Sequence, residues 1–311
     1  MKLKRIFLNI MKIICVIVTY NRLLLLKTAI QAVLNQTRPV DEIIVVDNLS
    51  KDGTRAYLKN LENDRIRPRL LDENSGGAGG FYHGIKQAFE EGADWIWIMD
   101  DDSLPKDDAL ERLITCPVFK AKEQEIGFLA SRVNWTDGNK CIMNSPLPNQ
   151  VYWDWYLTDH NGCFQIDRCS FVSMLINRKA IQRLGYPVKE FFIWLDDWEY
   201  SGRITAHFPG FYIPDSQVIH QLPENKGVDY ADITDQNLWK FLYEARNQVA
   251  YLTYQSGLGI FDALLFLVRR IILMNRLKKS FAQQFKILYS GLQGFFFNYK
   301  KRIEIPESRD H

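Results

Sequence analysis

Apolar positions in the first 130 residues fall into short continuous runs separated by longer stretches of helical spacing. Ile13-Ile14-Cys15-Val16-Ile17-Val18 is apolar on both faces, the signature of a strand buried on both sides of a parallel sheet. Leu23 to Asn35 has helical spacing, with Asn21 as its expected N-cap. Glu42-Ile43-Ile44-Val45-Val46-Asp47 predicts a second strand, and Ser50-Lys51-Asp52-Gly53-Thr54 opens a second helix. Ile66 to Asp72 reads as a third strand. A glycine-rich turn then leads into a helix over 78–91, and Trp95-Ile96-Trp97-Ile98-Met99 is a fourth strand. Strand and helix alternating at this spacing predict a doubly wound α/β sheet.

Beyond residue 130 the pattern loosens. Residues 131–235 are rich in Trp, Pro and Asp; Cys169 to Asn177 predicts a strand, Arg178 to Leu184 a short helix, and Phe191 to Ile204 a turn followed by a helix. From Leu238 the spacing is helical, with no proline until Pro306. The chain thus divides into an α/β region over 1–237, with halves 11–130 and 131–237, and a helical region over 238–311.

Composition narrows the classes. With 311 residues, 47% hydrophobic and 24% charged, the chain is globular in type, neither disordered nor fibrous. A net charge of +2 gives no overall reason to expect a nucleic-acid partner. The charge asymmetry is local: between Phe261 and Arg302, nine basic residues (Arg269, Arg270, Arg276, Lys278, Lys279, Lys286, Lys300, Lys301, Arg302) face only Asp262. Runs such as Leu264-Leu265-Phe266-Leu267-Val268 and Phe295-Phe296-Phe297 are interleaved with them, and none is long enough to span a bilayer. Basic amphipathic helices lying on an anionic membrane fit this pattern, as does a helical cap with a solvated basic face. Five cysteines, odd in number and never spaced CxxC, argue against a zinc finger or a disulfide scaffold and for reduced cytosolic thiols. Lys12 interrupts the apolar run after Met1-Lys2-Leu3-Lys4-Arg5 and no small-residue cleavage site follows, so the start reads as cytoplasmic rather than as a signal peptide.

Chemistry concentrates at two places. Asn74-Ser75-Gly76-Gly77-Ala78-Gly79-Gly80 lies between a strand and a helix, where backbone N–H groups favour an anion; a turn that only permits close packing reads the same way. Tyr82 stands where a dinucleotide fingerprint needs its third glycine, and Ile85 where a P-loop needs lysine, so NAD and P-loop chemistry are not supported. Asp100-Asp101-Asp102 follows the fourth strand directly, at the edge of the sheet where ligands bind. Three adjacent carboxylates there repel one another unless a cation offsets them. Alternation puts Asp100 and Asp102 on one side and Asp101 on the other; a solvated loop or helix start, with Ser103 and Pro105, is the plainer alternative.

Val18-Thr19-Tyr20-Asn21-Arg22, Val46-Asp47-Asn48, the glycine cluster with Phe81, the Asp triplet and Phe192-Ile193-Trp194-Leu195-Asp196-Asp197-Trp198-Glu199 occur in order. Together they resemble an inverting family-two glycosyltransferase of the GT-A fold, near the bacterial galactofuranosyltransferases and rhamnosyltransferases, over about residues 11–250. The resemblance implies a nucleotide-sugar-binding half and an acceptor-side half. Thr19, Tyr20, Arg22 and Asp47 would lie at the base and ribose, Asn74, Gly76 and Gly77 at the diphosphate and sugar, with Asp101 on the nucleotide side. Asp100 and Asp102 would hold Mn²⁺ or Mg²⁺, with His220 as a third ligand; alone, a histidine there reads equally as a packed residue. Asp197 would be the general base and Asp196 its neighbour orienting the acceptor. Asp196 and Glu199 could instead brace the helix through Arg203. Trp153, Trp155, Trp194, Trp198 and Glu199 would line the acceptor side, by stacking or by ordinary packing; the role of Arg246-Asn247 is open beyond helix packing.

The implied activity is transfer of galactofuranose from UDP-galactofuranose to a lipid-linked or polysaccharide acceptor at the cytoplasmic membrane surface. A rhamnosyltransferase using dTDP-rhamnose is the alternative enzyme, and a non-catalytic nucleotide-sugar-binding scaffold the alternative of another class.

Overall fold

The computed structural model describes residues 11–151, 162–255 and 258–307. Strands β1 (Ile13–Thr19), β2 (Glu42–Asp47), β3 (Ile66–Leu70) and β4 (Trp95–Asp100) run parallel in the order β3-β2-β1-β4. Helices α1 (Leu23–Leu34), α2 (Thr54–Lys59) and α3 (Gly76–Glu90) connect them. The continuous apolar runs have their expected cause. Ile14, Val16 and Val18 of β1 share a core with Phe81, Ile85 and Ala88 of α3, while Ile13, Cys15 and Ile17 pack on the opposite face with Leu26, Ile30 and Val33 of α1. Two local expectations change. Asn21 does not cap α1: it sits at φ 53 and accepts a bond from the Lys51 N–H at 2.6 Å, while Asp52 accepts from the Leu23 N–H at 3.0 Å. Helix α3 starts inside the glycine cluster, at Gly76.

The second half extends the same sheet. It contributes β5 (Ser103–Pro105), α4 (Ala109–Thr115), α5 (Pro117–Lys122), β6 (Phe128–Trp135), β7 (Leu147–Pro148), β8 (Phe164–Arg168), β9 (Met174–Asn177), α6 (Arg178–Leu184), α7 (Asp196–Thr205) and β10 (Gly210–His220). Beyond β4 the order is β9-β6-β10-β8-β7, with β9 antiparallel to both β4 and β6, and β5 antiparallel to β10. The strand expected over 169–177 is confined to β9. Ser173, at φ 59, interrupts the extended chain so that its hydroxyl meets the Trp97 indole N–H at 2.9 Å.

Helices α8 (Leu238–Gln255), α9 (Gly259–Arg276) and α10 (Phe281–Gly294) form a bundle against this α/β body. A capping box of Ser280 and Gln283 starts α10. The inner residues of the bundle pack, while Ile260, Phe261, Leu264, Leu265, Val268, Phe281, Phe285 and the following Phe296 stay exposed. Among the described residues, no helix is long and apolar enough to cross a membrane. All five cysteines are free and buried.

Candidate active site

Strand β4 delivers the Asp triplet to the C-terminal edge of the parallel strands, with Asp100 opposite Val18 of β1. The next step of the chain is decisive. Strand β5 turns back on β10 so that His220 stands opposite Ser103, and the Gln221 N–H donates to the Asp102 carbonyl at 2.9 Å. This register carries His220 across 118 positions of sequence to the triplet, where its Nε2 lies 3.0 Å from Asp102 Oδ1. Asp100, Asp102 and His220 offer three ligand atoms all within 4.8 Å of one another.

The other ring nitrogen shows what this cluster suits. His220 Nδ1 is 2.7 Å from Asn144 Oδ1, an acceptor only, so the ring proton belongs on Nδ1. Asn144 is held in turn, its amide N–H₂ donating to Ser170 at 2.9 Å. The Nε2 lone pair then faces a carboxylate oxygen, an arrangement that needs a proton or a cation between the two. Without a cation, burial opposes a charged imidazole, but the hydrogen bond and charge of Asp102 outweigh it and push His220 up to about 10. Burial, reinforced by Asp102, raises Asp100 to about 7. For Asp102 burial also favours the neutral form, yet His220 and Arg22 hold its carboxyl below the usual range. A hard divalent ion fits this donor set of two carboxylates and an oriented imidazole.

Asp101 points elsewhere, as alternation requires. It accepts from the Thr19 hydroxyl at 2.7 Å and from Arg22 Nη1 at 3.2 Å, and burial carries it up to about 6. Arg22 also pairs with Asp102 at 2.6 Å. Thr19 and Arg22 therefore support the triplet, Thr19 from a buried position, and Tyr20 beside them is exposed. Asp47 is fully buried, accepting from the Ser50 N–H and 3.6 Å from Arg55, contacts that shape the loop after β2.

The glycine cluster is likewise used internally. A Cβ at Gly76 would lie 2.1 Å from the Phe192 carbonyl oxygen, so glycine is needed there for the approach of the 191–195 loop; Ala78 N–H donates to that same oxygen at 3.2 Å. Gly80 and Gly84 let α3 pack on Val18 and Val16. Gly77 alone faces open space, and exposed Asn74 accepts from the Gly76 N–H at 2.9 Å.

The facing wall is the 191–195 loop and the first turn of α7. Phe192, Trp194 and Leu195 hold φ of 67, 60 and 74, a conformation uncommon for bulky residues. They present Asp196 and Asp197 as the first residues of α7. Burial and Asp197 hold the Asp196 carboxyl well above the usual range, and the charge of Asp100 adds to it. Asp197 is less enclosed, and burial raises it to about 6. Glu199 does not reach the cleft: buried, it forms a two-point pair with Arg203 at 2.9 and 3.0 Å, the helix-bracing alternative. Trp194 packs edge-on against Phe241 of α8 at 5.3 Å, and Trp198 lies 5.9 Å from the Arg168 guanidinium, both half-buried. Trp153 and Trp155 lie outside the described residues. Sequence reasoning misses Asn144, which no local pattern marks, and leaves Arg246-Asn247 unassigned, although both bond to the 191–195 loop or the residue before it.

Residues 14–185 match the glycosyl transferase family 2 profile, more than half of the chain. The chain belongs to this family. Its family-two core has the GT-A fold: a solved structure described as "GalNAc-T7 with UDP, GalNAc and Mn2+" superposes with a TM-score of 0.57 over 79% of this chain and 50% of that one, at 14% identity. Among curated relatives, galactofuranosyltransferase GlfT1 of Mycolicibacterium smegmatis is 39% identical over 109 residues, 34% of this chain and 35% of that protein. GlfT1 of Mycobacterium tuberculosis is 36% identical over 107 residues, 33% and 35%. The matched region thus spans about a third of the length of these relatives.

Proposed function

We propose that this family-two protein is an inverting, metal-dependent glycosyltransferase that moves galactofuranose from UDP-galactofuranose to a lipid-linked or polysaccharide acceptor. The observation that carries the reading is the meeting of Asp100, Asp102 and His220 at the sheet edge, with Asp196 close enough for the charge of Asp100 to raise its carboxyl. The sugar is supported by the names of the GlfT1 relatives. The structural neighbour was solved with UDP and Mn²⁺, which is compatible with the same donor chemistry.

Asp100, Asp102 and His220 would hold Mn²⁺ or Mg²⁺, which when bound supplies Lewis-acid neutralisation of the departing diphosphate. The chain's own groups do the rest. Arg22 holds the ligand carboxylate of Asp102, and Thr19 holds Asp101 beside it, so that part of the site is preorganised. Gly77 leaves room for the donor beside the α3 N-terminus. Asp197, raised to about 6, is ionised at neutral pH and takes the acceptor hydroxyl proton. Asp196, held protonated longer by burial and by Asp197, keeps a donor beside it for the acceptor. The acceptor oxygen bonds to the anomeric carbon as the bond to the diphosphate breaks, which inverts that centre in a single displacement.

The exposed apolar side chains on α9 and α10, set among Arg269, Arg276, Lys278 and Lys286, support docking at an anionic membrane, where a lipid-linked acceptor would be found. The function is tested by thermal shift with UDP and dTDP, each with and without Mn²⁺, followed by a donor screen on a lipid-linked acceptor mixture read by mass. A Mn²⁺-dependent shift with UDP and a hexose mass increment from UDP-galactofuranose are expected. A shift with dTDP alone moves the donor to dTDP-rhamnose, and no metal-dependent shift with either nucleotide removes the reading.

A further inference from the structure

We propose that Asn247, fixed by Arg246, is a positioning residue for catalysis: from α8 it sets the backbone that aims Asp196 and Asp197, a role that rests on those carboxylates being catalytic as argued above. Asn247 is completely buried in the middle of α8. Its amide N–H₂ donates to three loop carbonyls, Phe191 at 2.9 Å, Ile193 at 3.1 Å and Trp194 at 3.0 Å. An N–H₂ has only two protons, so the three bonds share them and the amide is committed wholly to this loop.

Its orientation is not free to reverse. Asn247 Oδ1 accepts from Arg246 Nε at 3.0 Å and Nη2 at 2.7 Å, which forces the N–H₂ end toward the carbonyls. The same Arg246 Nη2 donates to the Glu190 carbonyl at 2.6 Å, one residue before the segment that Asn247 holds. The guanidinium lies 4.8 Å from the Tyr243 ring and 4.4 Å from that of Phe297, and Tyr243 itself stacks on Phe192 at 4.7 Å and 14°. One turn of α8 therefore grips the loop by its backbone from Glu190 to Trp194 and by the ring of Phe192.

The loop requires such a grip. Phe192, Trp194 and Leu195 all stand at positive φ, and a bulky residue stays there only when its surroundings over-determine it. Leu195 is the N-cap of α7, and the next two residues are Asp196 and Asp197. Relaxing any of the three backbone angles would reorient the first turn of α7, and the carboxylates with it. Hydrophobic packing alone could fill the space of Asn247; it would not pair three carbonyls in an irregular segment.

The test compares Asn247→Ala, Asn247→Asp and Arg246→Lys with Asp197→Asn, by steady-state transfer, by calorimetric binding of UDP with Mn²⁺, and by thermal melts. The two Asn247 variants should lose about 10²-fold in kcat, the scale of an ångström's misplacement. KM for the donor and the affinity for UDP with Mn²⁺ should stay within about threefold, since the triplet and His220 make no bond to α8. Asn247→Asp, presenting a carboxylate to three carbonyls, should be at least as impaired as alanine, and the acid limb of its kcat profile should shift from about 6 as the surroundings of Asp197 change. Arg246→Lys keeps the charge and loses the fork, so roughly tenfold in kcat is expected from it even if the Asn247 variants fail to fold. Wild-type kcat in a folded Asn247 variant, or in Arg246→Lys, overturns the proposal. So does a kcat loss matched by an equal loss of UDP–Mn²⁺ affinity, which would mark a general structural role. If Asp197→Asn still transfers sugar, the underlying assignment of the carboxylate is what fails.

Discussion

Gly76→Ala separates the two uses that a glycine-rich turn can have. The added Cβ would stand 2.1 Å from the Phe192 carbonyl oxygen and 2.7 Å from its carbonyl carbon and Cγ, at a backbone φ of +71. A left-handed alanine costs about 1–2 kcal/mol. Moving a backbone carbonyl out of a packed contact adds about 1–3 kcal/mol. The sum, about 2–5 kcal/mol, corresponds to a melting shift on the order of 5–10 °C in a chain of this size. The displaced group is the Phe192 carbonyl that also accepts from Ala78, so the strain passes directly into the loop ahead of Asp196. The variant should melt early and lose kcat, while its affinity for UDP with Mn²⁺ changes little.

Gly77→Ala is the internal control. Nothing lies within 4 Å of its added Cβ, so its melting point should hold or rise slightly as a helical glycine is replaced. Thermal melts and donor titrations on the pair decide the matter. If Gly76→Ala melts like the wild type and raises only the donor KM, the glycine faces the donor and the seating of the loop on α3 is wrong.

The acid limb of kcat should follow Asp197: burial raises its carboxyl to about 6, the base works only when ionised, and the rate should therefore be flat above neutrality and fall about tenfold per pH unit below 6. A limb that stays near an ordinary carboxylate value in a pH–rate profile would exclude Asp197 as that base. Saturating Mn²⁺ at about 100 times its Kd should stabilise the protein by about 2.7 kcal/mol, and His220→Gln should weaken that binding by about tenfold or more in a thermal-shift titration; equal Mn²⁺ affinity would remove His220 from the ligand set. Phe261 and Phe285 are 71% and 57% exposed, so Phe261→Ser combined with Phe285→Ser should leave the melting point unchanged. Each ring contributes about 1.5–3 kcal/mol if it enters an apolar phase. Co-sedimentation with phosphatidylglycerol vesicles should therefore drop strongly, and undiminished sedimentation would refute the membrane role of these helices.

The first half of the sheet is legible because β1, β2 and β4 are buried on both faces and carry unbroken apolar runs, a pattern that needs no knowledge of partners. The second half is not. Phe164-Gln165-Ile166-Asp167-Arg168 of β8 is short and polar, and β10 shifts register between Ile213 and Gln217, around Pro214. Such strands are defined by their neighbours. The same limit governs the site. The Asp triplet announces itself as carboxylates at the end of an apolar strand, but the approach of His220 depends on β5 pairing with β10, a contact without a local signal; family resemblance alone points to it. Thr19 and Arg22, which that resemblance puts at the nucleotide, are found on the triplet, because buried carboxylates draw the nearest donors.

The helical region after residue 237 reads from its sequence as a separable appendage, and its inner side argues for one working unit. Asn247 pairs the carbonyls of Phe191, Ile193 and Trp194, and Phe191 packs with Phe297 and Tyr299 from the far end of the chain. Removing the bundle would leave the Phe191 carbonyl with the Ile193 N–H at 2.8 Å, but would take the Asn247 donor from the carbonyls of Ile193 and Trp194, at about 1–3 kcal/mol for each one left buried without a partner. It would also release three backbone angles that are unfavourable on their own. A truncated enzyme should therefore be inactive even on a soluble acceptor, where membrane docking is irrelevant. Loss of activity on truncation consequently says nothing about lipid, and the contribution of the membrane has to be read from substitutions on the outer faces of α9 and α10, which leave α8 and its grip on the loop untouched.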